Sequence, residues 1–173
     1  MTYYQGNAGH PQHFSVGAIL VSQNGEICCH HFLAKDLEGY WPDAGLDDFY
    51  LLMRETIEPG ESLEAAVARG LREEFGATAE LADYVGAIQS RFEHKGVEVQ
   101  KTTAYFLCHL VDQDPSRREG DIESKTALEW RPADFLIPKM KEQATRFGRT
   151  DVDESEIIAR AVSLGLLPTE VRG

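Results

Sequence analysis

The chain of 173 residues is 42% hydrophobic, which is enough for one well-buried core and short for two independent domains. Its 17 basic and 29 acidic residues give a formal net charge of −12, which argues against binding a nucleic-acid polymer or an anionic membrane surface. A small phosphorylated molecule remains allowed as a partner, provided that divalent cations offset the repulsion locally.

The first ten residues carry neither a basic start nor an apolar run, so we predict no signal peptide. No apolar segment approaches the ~18 residues that a membrane span requires. The cysteines Cys28, Cys29 and Cys108 are odd in number and do not indicate a disulfide framework, which fits a reducing compartment. We therefore predict a cytoplasmic protein with no membrane partner.

The N-terminal part carries a β-hairpin signal. Residues 14–22 are apolar and β-branched, and the Gln23-Asn24-Gly25 turn joins them to a second strand in residues 26–34. Residues 36–48 are rich in Gly, Pro and Asp, which indicates a loop. A short strand is predicted at 49–53.

The second predicted strand contains four consecutive side chains of types that bind zinc, Cys28 to His31. Consecutive strand residues point to opposite faces of a sheet, whereas a tetrahedral site needs its ligands on one side. The spacing therefore argues against a zinc site here.

Downstream, a helix is predicted to begin near Ser62, after the Pro59-Gly60 break. Strands are predicted at 79–92, 97–111 and 126–132, with a charged loop at 111–124 before the last of them. A short helix is predicted from Pro132, and residues 153–166 have amphipathic helical spacing. Strands interrupted by helices indicate a mixed sheet packed between helices.

The helix after Ser62 carries two adjacent carboxylates. On an ideal helix, Glu74 falls within the apolar stripe, Glu73 falls on its edge, and Gly70 lies between them one turn toward the N-terminus. Burying ionised carboxylates costs several kcal/mol unless a positive partner compensates. Arg69 can pair with Glu73 but less readily with Glu74, so a divalent cation is the simplest remaining partner, and oxygen ligands suit Mg²⁺ or Mn²⁺. The plain alternative is a solvated helix edge, where such acidic pairs are common.

The run from Glu55 to Ala77 resembles the Nudix box, the signature of the Nudix hydrolases. That box reads Gly, five residues, Glu, seven residues, then Arg-Glu-hydrophobic-any-Glu-Glu-any-Gly-hydrophobic. The chain matches it in register at seven positions over 23 residues: Glu61, Arg69, Leu71, Glu73, Glu74, Gly76 and Ala77. It departs from the box at two positions, because Glu55 replaces the first glycine and Gly70 replaces the glutamate that follows the arginine.

The resemblance implies an α/β fold, namely an α/β/α sandwich with a mixed β-sheet and the Nudix loop-helix-loop. Residues 1–173 would form one domain, with a C-terminal helical extension after about residue 140. The implied reaction is hydrolysis of a nucleoside diphosphate linked to another moiety, with water attacking phosphorus and Mg²⁺ (or Mn²⁺) bridging the phosphates. Members of the family are often dimers, so the resemblance also allows a homodimer.

By the same resemblance, Glu73 and Glu74 would bind the metal and act in catalysis, and Glu61 and Arg69 would brace the loop and the helix. Family sites also recruit a glutamate from a later loop, as a metal ligand or base. Glu123 is our first candidate for it, ahead of Glu119 and Glu98, although each alone is more often a surface acid. Candidate substrate contacts are Lys101, Arg54 and Tyr50, with Tyr40 and Trp41 as further aromatic candidates. The plain alternatives are a surface charge for the lysine and packing for the aromatic side chains.

Gly70 leaves two hypotheses open. The intact Glu73-Glu74 pair favours a hydrolase, whereas the missing carboxylate at position 70 favours a catalytically weakened module that binds or senses a nucleotide or phosphorylated metabolite. A mid-helix glycine costs roughly 1 kcal/mol relative to alanine, so it is there either to leave room for water, ligand or another side chain, or because the site has decayed. From the helix geometry alone, Gly70→Glu is expected to tighten metal binding.

Overall fold

The computed structural model describes residues 5–7, 10–33, 46–94, 96–119 and 126–168. Within these ranges, no helix is both long and apolar enough to cross a membrane. The predicted loop at 36–48 lies mostly outside them, as do Tyr40, Trp41 and Glu123.

The described residues form eight strands, three α-helices and two single-turn 3-10 helices. The strands are β1 (Gln5–Asn7), β2 (His10–Val21), β3 (Ile27–Leu33), β4 (Asp48–Leu51), β5 (Met53–Thr56), β6 (Ala77–His94), β7 (Val97–Gln113) and β8 (Ala127–Arg131). The helices are α1 (Leu63–Phe75), α2 (Ala133–Phe147) and α3 (Ser155–Ser163).

All eight strands belong to one mixed sheet, whose main path runs β4-β3-β2-β7-β6. The central pair β2 and β7 is parallel, and the other pairings are antiparallel. On the side of β2 away from β7, β3 pairs with its last residues and β5 pairs with residues 15–18. The predicted hairpin joins β2 to β3 through Gly25, which adopts a left-handed φ of 83°.

Helices cover both faces of this sheet. On one face, α1 packs through Val67, Leu71 and Phe75 into a core shared with alternate residues of β2, β5 and β7. On the other face, α2 and α3 pack against the remaining alternate residues, with Leu136 and Ile158 fully buried. The predicted α/β/α arrangement is therefore confirmed, and the chain segment after residue 150 shares the core of the second face.

Two predicted elements differ from the observed ones by more than a shift of their ends. The single strand predicted at 49–53 is divided at Leu52, whose N–H donates to a carboxylate oxygen of Glu154 at 2.7 Å instead of joining a strand ladder. The helix from Pro132 is not short: it runs 15 residues and contains Pro138, because Leu136, Met140 and Ala144 bury one continuous face.

Candidate functional site

Helix α1 is fixed at both ends by the local sequence. The Ser62 hydroxyl accepts a hydrogen bond from the Ala65 N–H at 3.2 Å, which caps the first turn. At the other end, Gly76 takes a left-handed φ of 62°, and a Cβ there would collide with the Asp114 carbonyl oxygen. The helix therefore begins where the sequence predicts it, and the left-handed Gly76 ends it.

The helix presents its two acids as the helical period predicts. Glu74 is only 7% exposed and lies within the buried stripe, whereas the Glu73 side chain, at the edge of that stripe, is 28% exposed. The pair therefore spans the boundary between the core and the surface.

Arg69 holds the loop before α1 against the helix. Its guanidinium donates from Nε to Glu61 Oε1 at 2.9 Å and from Nη2 to Glu61 Oε2 at 3.0 Å, and Nη2 also donates to the Thr56 carbonyl at 2.7 Å. These hydrogen bonds lower the pKa of Glu61 and raise the pKa of Arg69. The two-pronged pair is the geometry in which arginine binds a carboxylate most firmly, and it suits the predicted bracing role.

The same guanidinium has two looser carboxylate neighbours. Its Nη1 lies 3.5 Å from Glu73 Oε2 and 3.3 Å from Glu55 Oε2. Glu73 also accepts a bond from the exposed Arg72 at 3.0 Å, and Glu55 Oε1 accepts the Thr56 N–H at 2.7 Å. Because these contacts with Arg69 are longer than those of Glu61, Glu55 and Glu73 are the carboxylates more available to another cation.

Strand β5 packs tightly against helix α1 at Gly70. A Cβ at position 70 would lie 2.6 Å from Met53 Sδ and 2.8 Å from Glu55 Cβ. Both distances are shorter than real Cβ atoms tolerate, and Met53 is fully buried. The glycine therefore makes room for other side chains, one of the two explanations that the sequence left open. The expectation for Gly70→Glu changes accordingly, because the new side chain would collide with strand β5.

Glu74 has a buried partner that the sequence did not reveal. His30 Nε2 lies 2.7 Å from Glu74 Oε2, and His30 Nδ1 lies 2.7 Å from the Thr126 hydroxyl. Burial lowers the pKa of His30 to about 3, with nearby arginine charges acting in the same direction, so the ring is neutral. A neutral ring that donates to Glu74 must accept from Thr126, which fixes its tautomer. Strand alternation places His30 on the face of α1, but only the fold brings together residues 44 positions apart.

The segment after β7 is attached to the C-terminal end of α1. Arg118 Nε donates to the Glu74 carbonyl at 2.5 Å, and the Glu119 N–H donates to the Glu73 carbonyl at 2.7 Å. Glu119 therefore lies directly beside the acidic pair, with its side chain exposed. Glu98 lies elsewhere, on the β6–β7 hairpin, where it is 65% exposed and 3.8 Å from Arg91.

Lys101 and Arg54 lie on the opposite face of the sheet from α1, by the alternation along β7 and β5. Arg54 donates to the Asp151 carbonyl at 2.5 Å and lies 3.8 Å from Glu154 Oε1. Burial lowers the pKa of Lys101 to about 8, and the Arg54 charge acts in the same direction. The charges of Glu154, Asp151 and, least of the three, Glu74 act in the opposite direction.

Tyr50 is not brought near the acids of α1. It is 2% exposed within the core of the other face, where its ring stacks on His31 at 4.6 Å and its hydroxyl donates to Glu129 at 3.3 Å. Burial raises its pKa to about 12. The register that pairs β4 with β3 sets Tyr50 opposite His31 and so decides this placement.

The donors around α1 fit a hard divalent ion in their chemistry, since Glu73, Glu74 and Glu55 offer carboxylate oxygens. Among the described residues, however, no three His, Cys, Asp or Glu side chains are already grouped to hold a metal. Glu74 Oε2 is engaged by His30, and Arg69 Nη1 contacts both Glu55 and Glu73. The arrangement therefore provides suitable ligands without a preformed cage.

Comparison with known proteins gives the family. The model of the NUDIX domain family matches residues 11–150 of this chain. Nudix hydrolase 5 of Arabidopsis thaliana is 27% identical over 131 residues, which are 76% of this chain and 39% of that protein. Nudix hydrolase 7 of Arabidopsis thaliana is 29% identical over 130 residues, which are 73% of this chain and 40% of that protein. The chain thus spans about two fifths of the length of these relatives.

Solved structures show the same fold. A NUDIX hydrolase from Nitrosomonas europaea aligns with a TM-score of 0.63 at 18% identity, covering 94% of this chain and 99% of that one. The MutT protein of Methanosarcina mazei Go1 aligns with a TM-score of 0.58 at 21% identity, covering 90% of this chain and 96% of that one. Taken with the match over residues 11–150, the arginine-braced acidic helix identifies this chain as a member of the Nudix hydrolase superfamily with an α/β Nudix fold.

Proposed function

We propose that this chain is a Mg²⁺-dependent pyrophosphohydrolase that cleaves a nucleoside diphosphate linked to another moiety, with water attacking phosphorus. The observation that carries the proposal is the placement of Glu73 and Glu74 at the core–surface boundary of α1, on a helix braced by the two-pronged Arg69–Glu61 pair. Membership of a hydrolase family supports the reaction class, and the substrate and the metal are part of the proposal.

The chemistry requires charge neutralisation and positioning more than it requires covalent participation of the protein. Glu73 and Glu74 would hold the ion, which supplies positive charge to the phosphoryl oxygens and lowers the pKa of an attacking water. His30 fixes the orientation of the Glu74 carboxylate through its 2.7 Å contact. Glu123 stays our candidate for the additional ligand or base, and Glu119 is the alternative already attached to the end of α1.

A substrate screen tests this proposal. We expect Mg²⁺-dependent hydrolysis of at least one compound among nucleoside triphosphates, dinucleoside polyphosphates, ADP-ribose and nucleotide sugars, measured as released phosphate or nucleotide. EDTA should abolish the activity, and excess Mg²⁺ or Mn²⁺ should restore it. Turnover that is unaffected by EDTA would contradict the metal requirement.

A binding module is the second candidate, and the absence of a preassembled metal cage among the described residues favours it. In that case the same compounds would raise the melting temperature without being hydrolysed. Ligand-induced stabilisation with no turnover across the panel would replace the hydrolase proposal with this one.

Lys101 lies on the sheet face opposite to α1, but the charge of Glu74 still acts on it, and we propose that it binds substrate phosphate at this end of the sheet. Its pKa of about 8 makes this testable. The folded-state pKa lies below the ordinary value of 10.5, so the unfolded chain binds more protons between these two pH values. Charged Lys101 therefore costs stability below pH 8, and the cost fades as the pH rises toward 10.5. A residue that is retained at such a cost is a candidate for function.

We expect Lys101→Met to raise the melting temperature at pH 7 by a few degrees and to raise KM for the phosphorylated substrate several-fold. In the native protein, KM should also rise as the pH passes about 8, because Lys101 then loses its charge. Lys101→Arg should remove that rise, since arginine stays charged. The exposed Lys141→Arg serves as the control, and a native KM that is constant from pH 7 to 9.5 would exclude Lys101 as a phosphate contact.

A further inference from the structure

The two positions at which the chain departs from the Nudix box are in contact with each other. The box has glycine at position 55 and glutamate at position 70, and this chain has the reverse. Glu55 lies on strand β5 and Gly70 on helix α1, fifteen residues apart in the sequence. The residues next to each position in sequence do not account for either departure from the box, whereas the two positions touch each other in space.

The contact leaves room for only one of the two side chains. A Cβ at position 70 would lie 2.8 Å from the Cβ of Glu55 and 2.6 Å from Met53 Sδ. Side chains at both positions cannot fit into that space unless the strand or the helix moves. A side chain at 55 therefore starts only 2.8 Å from where one at 70 would start, and glycine at position 70 makes room for the glutamate at position 55.

The Glu55 carboxylate extends into the cluster around Arg69. Its Oε2 lies 3.3 Å from Arg69 Nη1, the atom that also contacts Glu73 Oε2 at 3.5 Å. Its Oε1 accepts the Thr56 N–H at 2.7 Å, which holds the carboxylate in place. The side chain is 21% exposed, so solvent and ions reach it.

Pairing with Arg69 alone does not account for Glu55. The Arg69 guanidinium is already bound by both oxygens of Glu61 and by the Thr56 carbonyl, at 2.7 to 3.0 Å. Glu55 adds a third carboxylate, after Glu61 and Glu73, around one guanidinium. The exposed Arg72 also contacts Glu73 at 3.0 Å, so three carboxylates share two guanidiniums and one negative charge remains for a further cation.

We propose that Glu55 supplies, from strand β5, the carboxylate that the box glutamate supplies from the helix, and that it binds the divalent ion together with Glu73 and Glu74. This inference rests on the proposed metal-dependent function. On this inference, Gly70 makes room for the relocated carboxylate. Its presence then does not indicate that the metal site has decayed.

The direct test is calorimetric titration with Mn²⁺ of the native protein and of the variants E55Q, E73Q and E64Q. Glutamine at 55 keeps the size of the side chain and an oxygen for the Thr56 N–H, so folding should be preserved. We expect E55Q and E73Q each to weaken Mn²⁺ binding by at least about tenfold. E64Q is the matched control, because Glu64 is exposed in the first turn of the same helix, and its affinity should stay within about twofold of native.

The exchanged pair provides a second readout. G70E alone should lower the melting temperature by several degrees, because its side chain collides with Met53 and Glu55. The double variant E55G/G70E should recover part of the melting temperature lost in G70E, since only the contact with Met53 then remains. It should bind Mn²⁺ more tightly than E55G, which a purely structural role of Glu55 does not predict.

The possible failures are distinguishable. If the native protein and all variants bind no Mn²⁺, the proposed function falls, and this inference falls with it. If E73Q weakens binding while E55Q stays within twofold of native, the metal site stands and Glu55 is not its ligand. A G70E variant that melts at the native temperature and binds Mn²⁺ more tightly with Glu55 in place would also overturn the exchange.

Discussion

Glu74→Gln is expected to lower Mg²⁺-dependent turnover by roughly 100-fold or more without unfolding the protein. The substitution removes the negative charge that would hold the ion, yet it keeps an oxygen that can accept from His30 Nε2. Since the neighbouring core residues Leu71 and Phe75 are unchanged, the helix should keep its packing. Steady-state kinetics on the substrate found in the screen, together with circular dichroism and thermal melting, measure both effects.

Two controls separate loss of the charge from general damage. Glu64→Gln, on the exposed side of α1, should leave kcat within about twofold of native. The melting temperature of Glu74→Gln should stay close to native, because the His30 contact survives. A kcat within tenfold of native at saturating Mg²⁺ would show that Glu74 is not needed to hold the ion.

Glu154→Ala is expected to cause a large loss of stability. Glu154 is 1% exposed and accepts hydrogen bonds from the Leu52 N–H at 2.7 Å and the Tyr105 hydroxyl at 2.5 Å, and its Oε1 lies 3.8 Å from Arg54 Nε. Removing one partner of a buried charged network lowers the free energy of unfolding by about 3–5 kcal/mol, because the remaining polar groups are left buried without a hydrogen-bonding partner. At 2–4 °C per kcal/mol for a domain of this size, the melting temperature should fall by roughly 10 °C.

Chemical denaturation measures that loss. Glu156→Ala, an exposed change in the first turn of α3, is the matched control and should alter the unfolding free energy by about 0.5 kcal/mol or less. Glu154→Gln should fall between the two, because it keeps one acceptor for Leu52 or Tyr105. If Glu154→Ala lowered the free energy of unfolding by less than about 1 kcal/mol, this network would not be what stabilises the break between β4 and β5.

What could be predicted from the sequence is what depends on local periodicity. The spacing of Leu71, Glu73 and Glu74 along one helix placed one acid in the buried stripe and the other at its edge, and the exposures agree. This result follows from fixed helical geometry over a few turns. The contact between Arg69 and Glu61 was expected from the resemblance to the Nudix box, because Glu61 lies before the helix.

The unpredicted features depend on which strands become neighbours. His30 reaches Glu74 because β3 runs beneath the end of α1, and Tyr50 faces the other core because β4 pairs with β3 in a particular register. The position of Gly70 could be assigned on the helix, but its contact with Met53 and Glu55 depends on the path of β5. Register and strand order involve residues far apart in sequence, and no local pattern encodes them.

Binding of Mg²⁺ and Mn²⁺ to the double variant Glu73→Gln/Glu74→Gln, measured by calorimetry beside the native protein, tests the central claim most directly. Because Glu73 and Glu74 are proposed to hold the metal ion, the native protein should bind both ions. The folded double variant should bind them at least about 100-fold more weakly. Equal affinity in the two proteins would contradict the assignment of a divalent metal site to this helix.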